Sequence, residues 1–149
     1  MKVFIENEAA STKKNLFNEK TLEYRKTVEV SRPYPFPYGF VIGTTSGDGD
    51  NLDCFVITQK PLKSGDIVDV EAIGMFEQTE DGKADPKILA RLYDEQPLIT
   101  VDVEERLRDF IRHVFDHLPD KSVSFGRFLD IEEAQALIQR CFDKSDTSL

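Results

Sequence analysis

At 149 residues, with 40% hydrophobic content that includes eleven Phe, the chain has the length and apolar content for one domain with its own core. Its 19 basic residues stand against 28 acidic ones, and the net charge of −9 opposes binding to nucleic acid or to an anionic membrane surface. No run approaches the roughly eighteen apolar residues of a membrane span, the first residues carry no signal-peptide core, and Cys54 and Cys141 fall in apolar patterns without a CxxC, so reduced thiols in a cytoplasmic setting are expected.

In chain order, strand signals fall at 3–5, 27–30, 39–42, 52–58, 67–73, 75–77 and 88–92. Turn residues separate them: Pro33, Pro35, Pro37, Gly43, Gly47, Gly49, Pro61, Gly65 and Asp81-Gly82. Val68, Val70 and Ala72 alternate with Asp69 and Glu71, the period of a half-buried strand. Many short strands with irregular connections predict a barrel-like antiparallel sheet. The period then changes. Leu107, Phe110, Ile111, Val114, Phe115 and Leu118 mark one helix face, with Asp102 as N-cap, Glu105 completing a capping box and Pro119 as the stop. A strand follows at 123–129. A second helix starts after Asp130, again with Glu133 three residues on, and buries Ala134, Leu137, Ile138, Cys141 and Phe142; the tail 144–149 is expected to fray. No repeat or linker divides the chain, so 1–149 reads as a single α+β domain.

The chemistry concentrates in Gly47-Asp48-Gly49-Asp50-Asn51-Leu52-Asp53, three carboxylates within six residues. At ~5 Å and an effective dielectric of ~20, each pair of like charges costs roughly 3 kcal/mol. Such a cluster expects a cation or a raised pKa on one member. Asp48 and Asp50 would share one side of an extended backbone, and Asp53 stands at the mouth of an apolar strand where an unpaired carboxylate is expensive. The alternative is a solvated acidic turn. An EF-hand is excluded, because counting from Asp48 puts Leu52 and Asp53 where that loop needs Asp or Asn and then Gly. Glu80, Asp81 and Asp85 form a second acidic group with Lys87 beyond it; Glu80-Asp81-Gly82-Lys83 is also a good hairpin turn, and Asp85 with Lys87 a surface ion pair.

His113 and His117 stand four apart, the spacing of a zinc pair, but they flank the apolar stripe and no HExxH glutamate accompanies them. Lys13-Lys14 and Arg25-Lys26 are either a phosphate-facing patch or solvated loop. Tyr34-Pro35-Phe36-Pro37-Tyr38-Gly39-Phe40 is an extended segment whose rings pack in a core, or whose hydroxyls orient carboxylates or a phosphate.

Together, Tyr34-Pro-x-x-Tyr38-Gly-Phe40, then Asp48-Gly-Asp50-x-x-Asp53, then Asp85-x-Lys87 resemble the motifs of the soluble family I inorganic pyrophosphatases, with similarity from about Glu6 to Phe142. The resemblance implies an α+β fold on a small antiparallel OB-like β-barrel with two packed C-terminal helices. It also implies Mg²⁺ dependence, hydrolysis of pyrophosphate to two phosphates, and a homo-oligomer. Carried over by position, Asp48, Asp53 and Asp85 look like ligands of a tight metal pair with Asp53 bridging. Asp50 resembles the carboxylate that deprotonates the attacking water. Glu80 stands where the family usually has Asp, as an outer metal ligand that Asp81 could replace, and Glu6 resembles a distal glutamate. Tyr38 resembles the tyrosine that hydrogen-bonds within the metal site. Lys14, Arg25, Lys87 and Tyr34 are the substrate-facing set. Two departures thin the phosphate side: Lys14-Asn15-Leu16 lacks a family glutamate, and Leu118-Pro119 stands where the family has Tyr-Lys. The alternatives are a hydrolase of another phosphoanhydride, or a non-enzyme that binds metal or phosphate.

Overall fold

The computed structural model describes residues 1–143, so the expected frayed tail lies outside the described residues. Five strands close a ring: β1 (Lys2–Asn7), β4 (Tyr38–Val41), β5 (Asp53–Val56), β8 (Lys87–Leu92) and β6 (Ile67–Glu80), with β1 and β6 pairing to complete it. The pairings are antiparallel except β5 with β8, which run parallel. Outside the ring, β2 (Lys13–Phe17) and β3 (Tyr24–Glu29) form a separate hairpin, the short β7 (Lys83–Ala84) folds back on β6, and β9 (Val123–Leu129) extends the sheet along the far half of β6.

Strand alternation sorts the apolar residues onto two faces. All five ring strands feed one cluster, Val3 and Ile5, Val41, Cys54 and Val56, Val70 and Ala72, Ile88 and Ala90, which is therefore the barrel interior. Helix α2 (Ile131–Cys141) adds Ala134, Ile138 and Cys141 to it. The opposite faces of β5, β6 and β8 present Phe55, Phe76 and Leu89 to α1 (Val101–His113), which covers them with Leu107, Phe110 and Ile111. Burying each such side chain stabilises the fold by about 1.5–3 kcal/mol. Gly39 lets β1 and β4 close on one another: a Cβ there would stand 1.7 Å from the Phe4 carbonyl oxygen.

Several expectations need correction. The strands at 67–73 and 75–77 are one strand, and the break expected near Gly74 is a register shift against β8 between Ala72 and Gly74. A bulge absorbs one extra residue without ending the strand. Lys13 and Lys14 lie in a strand rather than a loop. The α1 cap is Thr100, whose side chain accepts the Val103 N–H, not Asp102. Asp102 sits inside the first turn, where its charge complements the helix dipole. The helix also ends at His113, six residues before Pro119, and the chain continues through turns, with Leu118 N–H bonded to Phe115 C=O. Asp130 does cap α2, accepting the Glu133 N–H at 3.0 Å.

Candidate active site

Strand register brings the motifs together. Asp53 opens β5 and Lys87 opens β8, and the parallel pairing makes them direct partners; Phe40, on the strand that Tyr38 begins, faces Asp53 from the other side. The Lys87 ammonium, on a residue only 4% exposed, donates to Asp53 Oδ2 at 2.6 Å, Asp85 Oδ2 at 2.9 Å and the Tyr38 hydroxyl at 3.0 Å. Three protons meet three acceptors, which is what allows a charge to be buried there.

Around this knot lies a cavity of about 180 Å³. Ten of the residues that the resemblance assigns to the site line it: Glu6, Lys14, Tyr34, Tyr38, Asp48, Asp50, Asp53, Glu80, Asp85 and Lys87; Asp81, the alternative to Glu80, does not. Nor does Arg25. It is exposed on β3 and borders a neighbouring groove that shares Glu19 and Asp50 with the cavity. Asp48 is not extended beside Asp50. Its Oδ1 accepts the Asp50 N–H at 3.0 Å and the Ser46 hydroxyl, an Asx turn that Gly49 completes at φ +90. Glu80 is set at the cavity rim by the β6–β7 hairpin, where Asp81 (φ 50) and Gly82 (φ 82) supply the two left-handed turn residues.

Sequence reasoning missed Glu19. It follows β2, belongs to no motif, and still lines the cavity, with Oε1 accepting the Asn51 N–H at 3.0 Å. The signal was a turn: Asn18 Oδ1 accepts the backbone N–H of Lys20 and Thr21 and so aims Glu19 inward. At the rim, Lys121 pairs with Glu80 at 3.0 Å and shares the Phe115 ring with Lys14, at 5.2 and 4.8 Å from its centroid. The histidines part company: His113 Nδ1 meets Asp116 and His117 Nδ1 meets the Ser31 hydroxyl, so they make no metal pair.

Seven carboxylates and two ammoniums line the cavity, so its field is negative. The titrations follow. Burial, then Glu19 and Asp53, pushes Glu6 up to about 9, and burial with Asp53 and Asp50 lifts Glu19 to about 7. Burial raises Asp85 although Lys87 opposes the shift. Burial works against the charge of Lys87, but Asp53 and Asp85 overcome it and the pKa rises. Lys14 is lowered by burial and by Lys87, while Tyr38, raised well above its ordinary value by burial, stays a phenol. All donors are hard oxygens, which suits Mg²⁺. Among the described residues no three carboxylate, thiol or imidazole groups converge on one point. That arrangement fits an ion held by one or two carboxylates plus waters and substrate rather than by a protein cage.

Glu6 yields a sign-determined prediction. A carboxyl whose pKa is raised on folding stabilises the protein below the unfolded value of 4.5, and that contribution is lost as pH rises towards about 9. In chelator-treated protein, Glu6→Gln should therefore raise the Tm at pH 8.5 by at least about 3 °C, the equivalent of roughly 1 kcal/mol, and change it little at pH 4.5. Thermal scans across that range check it; an equal shift at both ends would remove Glu6 titration as the cause.

The chain matches inorganic pyrophosphatase over residues 3–146. The chain belongs to the inorganic pyrophosphatase family. It is 31% identical to the inorganic pyrophosphatase of Nanoarchaeum equitans over 148 residues, 92% of each protein. It is 33% identical to inorganic pyrophosphatase 1 of Pseudomonas syringae pv. tomato over 105 residues, 66% of this chain and 59% of that relative's length. The inorganic pyrophosphatase structure from Helicobacter pylori shares the fold, with a TM-score of 0.87 at 22% identity over 99% of this chain and 94% of that one. Hydrolysis of pyrophosphate is the reaction this family is named for.

Proposed function

We propose that the chain is a Mg²⁺-dependent inorganic diphosphatase in which Asp48, Asp53 and Asp85 hold a metal pair, Glu80 and Glu6 serve the outer cation, and Asp50 is the base. The convergence on one cavity of seven motif residues, joined by Glu6, Lys14 and Glu80, supports this reading. Lys87 adds to it, because an ammonium already stands between Asp53 and Asp85 and marks a place built for positive charge. Mg²⁺ held by these carboxylates would lower the pKa of a water from ~15.7 towards neutrality. Asp50 would take the attacking water's proton on a carboxylate oxygen, while Tyr38 would donate its hydroxyl hydrogen within the site. Lys14, Lys87 and Tyr34, with Arg25 from the adjoining groove, neutralise and orient phosphate. Phosphoryl transfer asks for little more than this positioning and charge.

Phosphate release from pyrophosphate, with Mg²⁺ and with chelator, tests the proposal; release only with Mg²⁺ is expected. No release would favour the binding-only alternative, and faster release from another phosphoanhydride would reassign the substrate. A cytoplasmic setting is proposed on the two free, buried thiols, and among the described residues no helix is long and apolar enough to cross a membrane. A homo-oligomer is proposed on exposed apolar residues such as Leu98 and Val101, 78% and 74% exposed, and sedimentation tests it.

Leu118 and Pro119 offer no donor to phosphate. Charge-assisted hydrogen bonds are each worth ~1.5–3 kcal/mol. Unless Lys121 at the rim or a partner subunit supplies the missing charge, the wild type should show kcat/KM roughly 10²-fold or more below a relative keeping Tyr-Lys, and Leu118→Tyr with Pro119→Lys should recover much of that through KM. A wild type matching such a relative at equal Mg²⁺ would mean that the phosphate site is completed elsewhere.

A further inference from the structure

Behind the acidic loop, outside the cavity, lies a clamp that no motif contains. Asn51, between Asp50 and Asp53, is 2% exposed, with both ends of its side-chain amide and its N–H bonded. Its N–H donates to Glu19 Oε1 at 3.0 Å, its Nδ2 donates to the Val41 carbonyl at 3.2 Å, and its Oδ1 accepts from Lys20 Nζ at 2.7 Å. Lys20 Nζ also donates to the Thr44 carbonyl at 3.1 Å and the Thr45 hydroxyl at 3.3 Å, so its three protons reach three acceptors. Asp143, just past α2, stands 3.8 Å from the same ammonium and accepts from the Thr45 hydroxyl at 2.6 Å. Buried Thr44 finishes the frame by donating to the Val41 carbonyl and accepting the Leu52 N–H. One ammonium thus ties the β2–β3 turn, both ends of the acidic loop and the end of α2, while residues 47–50 between them stay exposed.

That placement answers a physical problem. Carboxylates crowded on a short loop push apart, and hydrogen bonds within the loop cannot fix where the loop stands against β5 and β8. We propose that Lys20, acting through Asn51, is a positioning residue that sets Asp50 and Asp53 for the reaction. The proposal rests on the roles given above to those two aspartates. Lys20 does not line the cavity but borders the adjoining groove, with its ammonium turned to Asn51, Thr44 and Thr45; the proposed effect is on the geometry of the loop.

The test is Lys20→Met, which keeps the apolar stem at a side chain 55% exposed, with Lys20→Arg as the conservative variant and Asn51→Ala for a double-mutant cycle. A misplacement of ~1 Å costs up to ~10²-fold in rate. Lys20→Met should accordingly lower kcat by ~10- to 100-fold with KM for pyrophosphate within about twofold, and calorimetric Mn²⁺ titration should show weaker binding. Lys20→Arg should recover most of both. The Lys20→Met/Asn51→Ala double variant should be little worse than Asn51→Ala alone, since the two act in series. Wild-type kcat and Mn²⁺ affinity in Lys20→Met would overturn the proposal, as would a loss expressed in KM alone, which would make Lys20 a substrate-charge residue. If Asn51→Ala does not fold, the Met and Arg pair decides without it. A wild type that binds Mn²⁺ but releases no phosphate counts against the diphosphatase reading, and the Mn²⁺ comparison still judges the clamp.

Discussion

Asp53→Ala is expected to abolish phosphate release and to weaken divalent-cation binding more than any other single carboxylate change. In the proposed arrangement Asp53 would serve both cation positions, so its loss would remove a ligand from each. It also accepts the shorter of the two carboxylate hydrogen bonds from Lys87, at 2.6 Å against 2.9 Å for Asp85. Removing one partner from a buried ion pair typically destabilises by about 3–5 kcal/mol. Part of any lost binding could therefore reflect a lower Tm, and the measurement must separate the two. Calorimetric titration of Mg²⁺ and Mn²⁺ into wild type, Asp53→Ala and Asp85→Ala, well below each melting transition, does so. Unchanged cation binding in folded Asp53→Ala would end the bridging assignment.

Asp50→Asn should lower kcat by ~10²–10⁴-fold, the usual worth of a general base, while leaving cation affinity nearly unchanged. The local structure makes this clean. The Asp50 N–H is held by Asp48 Oδ1 and its carbonyl by the Ser46 N–H, so the backbone is fixed independently of the side chain. The residue is exposed at the cavity, and among the described residues its carboxylate makes no ion pair that the amide would break. Asn keeps the size and loses only the capacity to take a proton. Wild-type turnover in Asp50→Asn from mildly acidic to mildly alkaline pH would show that another group accepts the proton.

The carboxylate motifs were legible because their chemistry is local: aspartates spaced by glycine in a turn, and an Asp-x-Lys opening an apolar strand. The helices were legible from their period, and so was the start of α2 at Asp130, but not the start of α1, because Thr100 and Asp102 both offer oxygens to the same turn and only the backbone geometry chooses between them. What sequence could not supply was pairing. Lys13-Lys14-Asn15-Leu16-Phe17 has no alternation, so β2 was invisible, and with it the turn that carries Glu19 into the cavity. Arg25 joins the phosphate ligands only through the family resemblance; its exposed place on β3 follows from the hairpin register, where Tyr24 pairs with Phe17 and Lys26 with Leu16.

The parallel register of Asp53 with Lys87 has a kinetic consequence. Strands that run the same way cannot be joined by a tight turn, and the chain between these two must travel out through β6 and return before they can meet. Contacts of such sequence separation form slowly, because loop closure must precede the interactions that reward it. A nascent chain that has emerged only through β5 holds the acidic loop but not the ammonium that neutralises it, and its aspartates remain in water until β8 arrives. Catalytic competence should thus appear together with closure of the barrel during refolding, and not ahead of it.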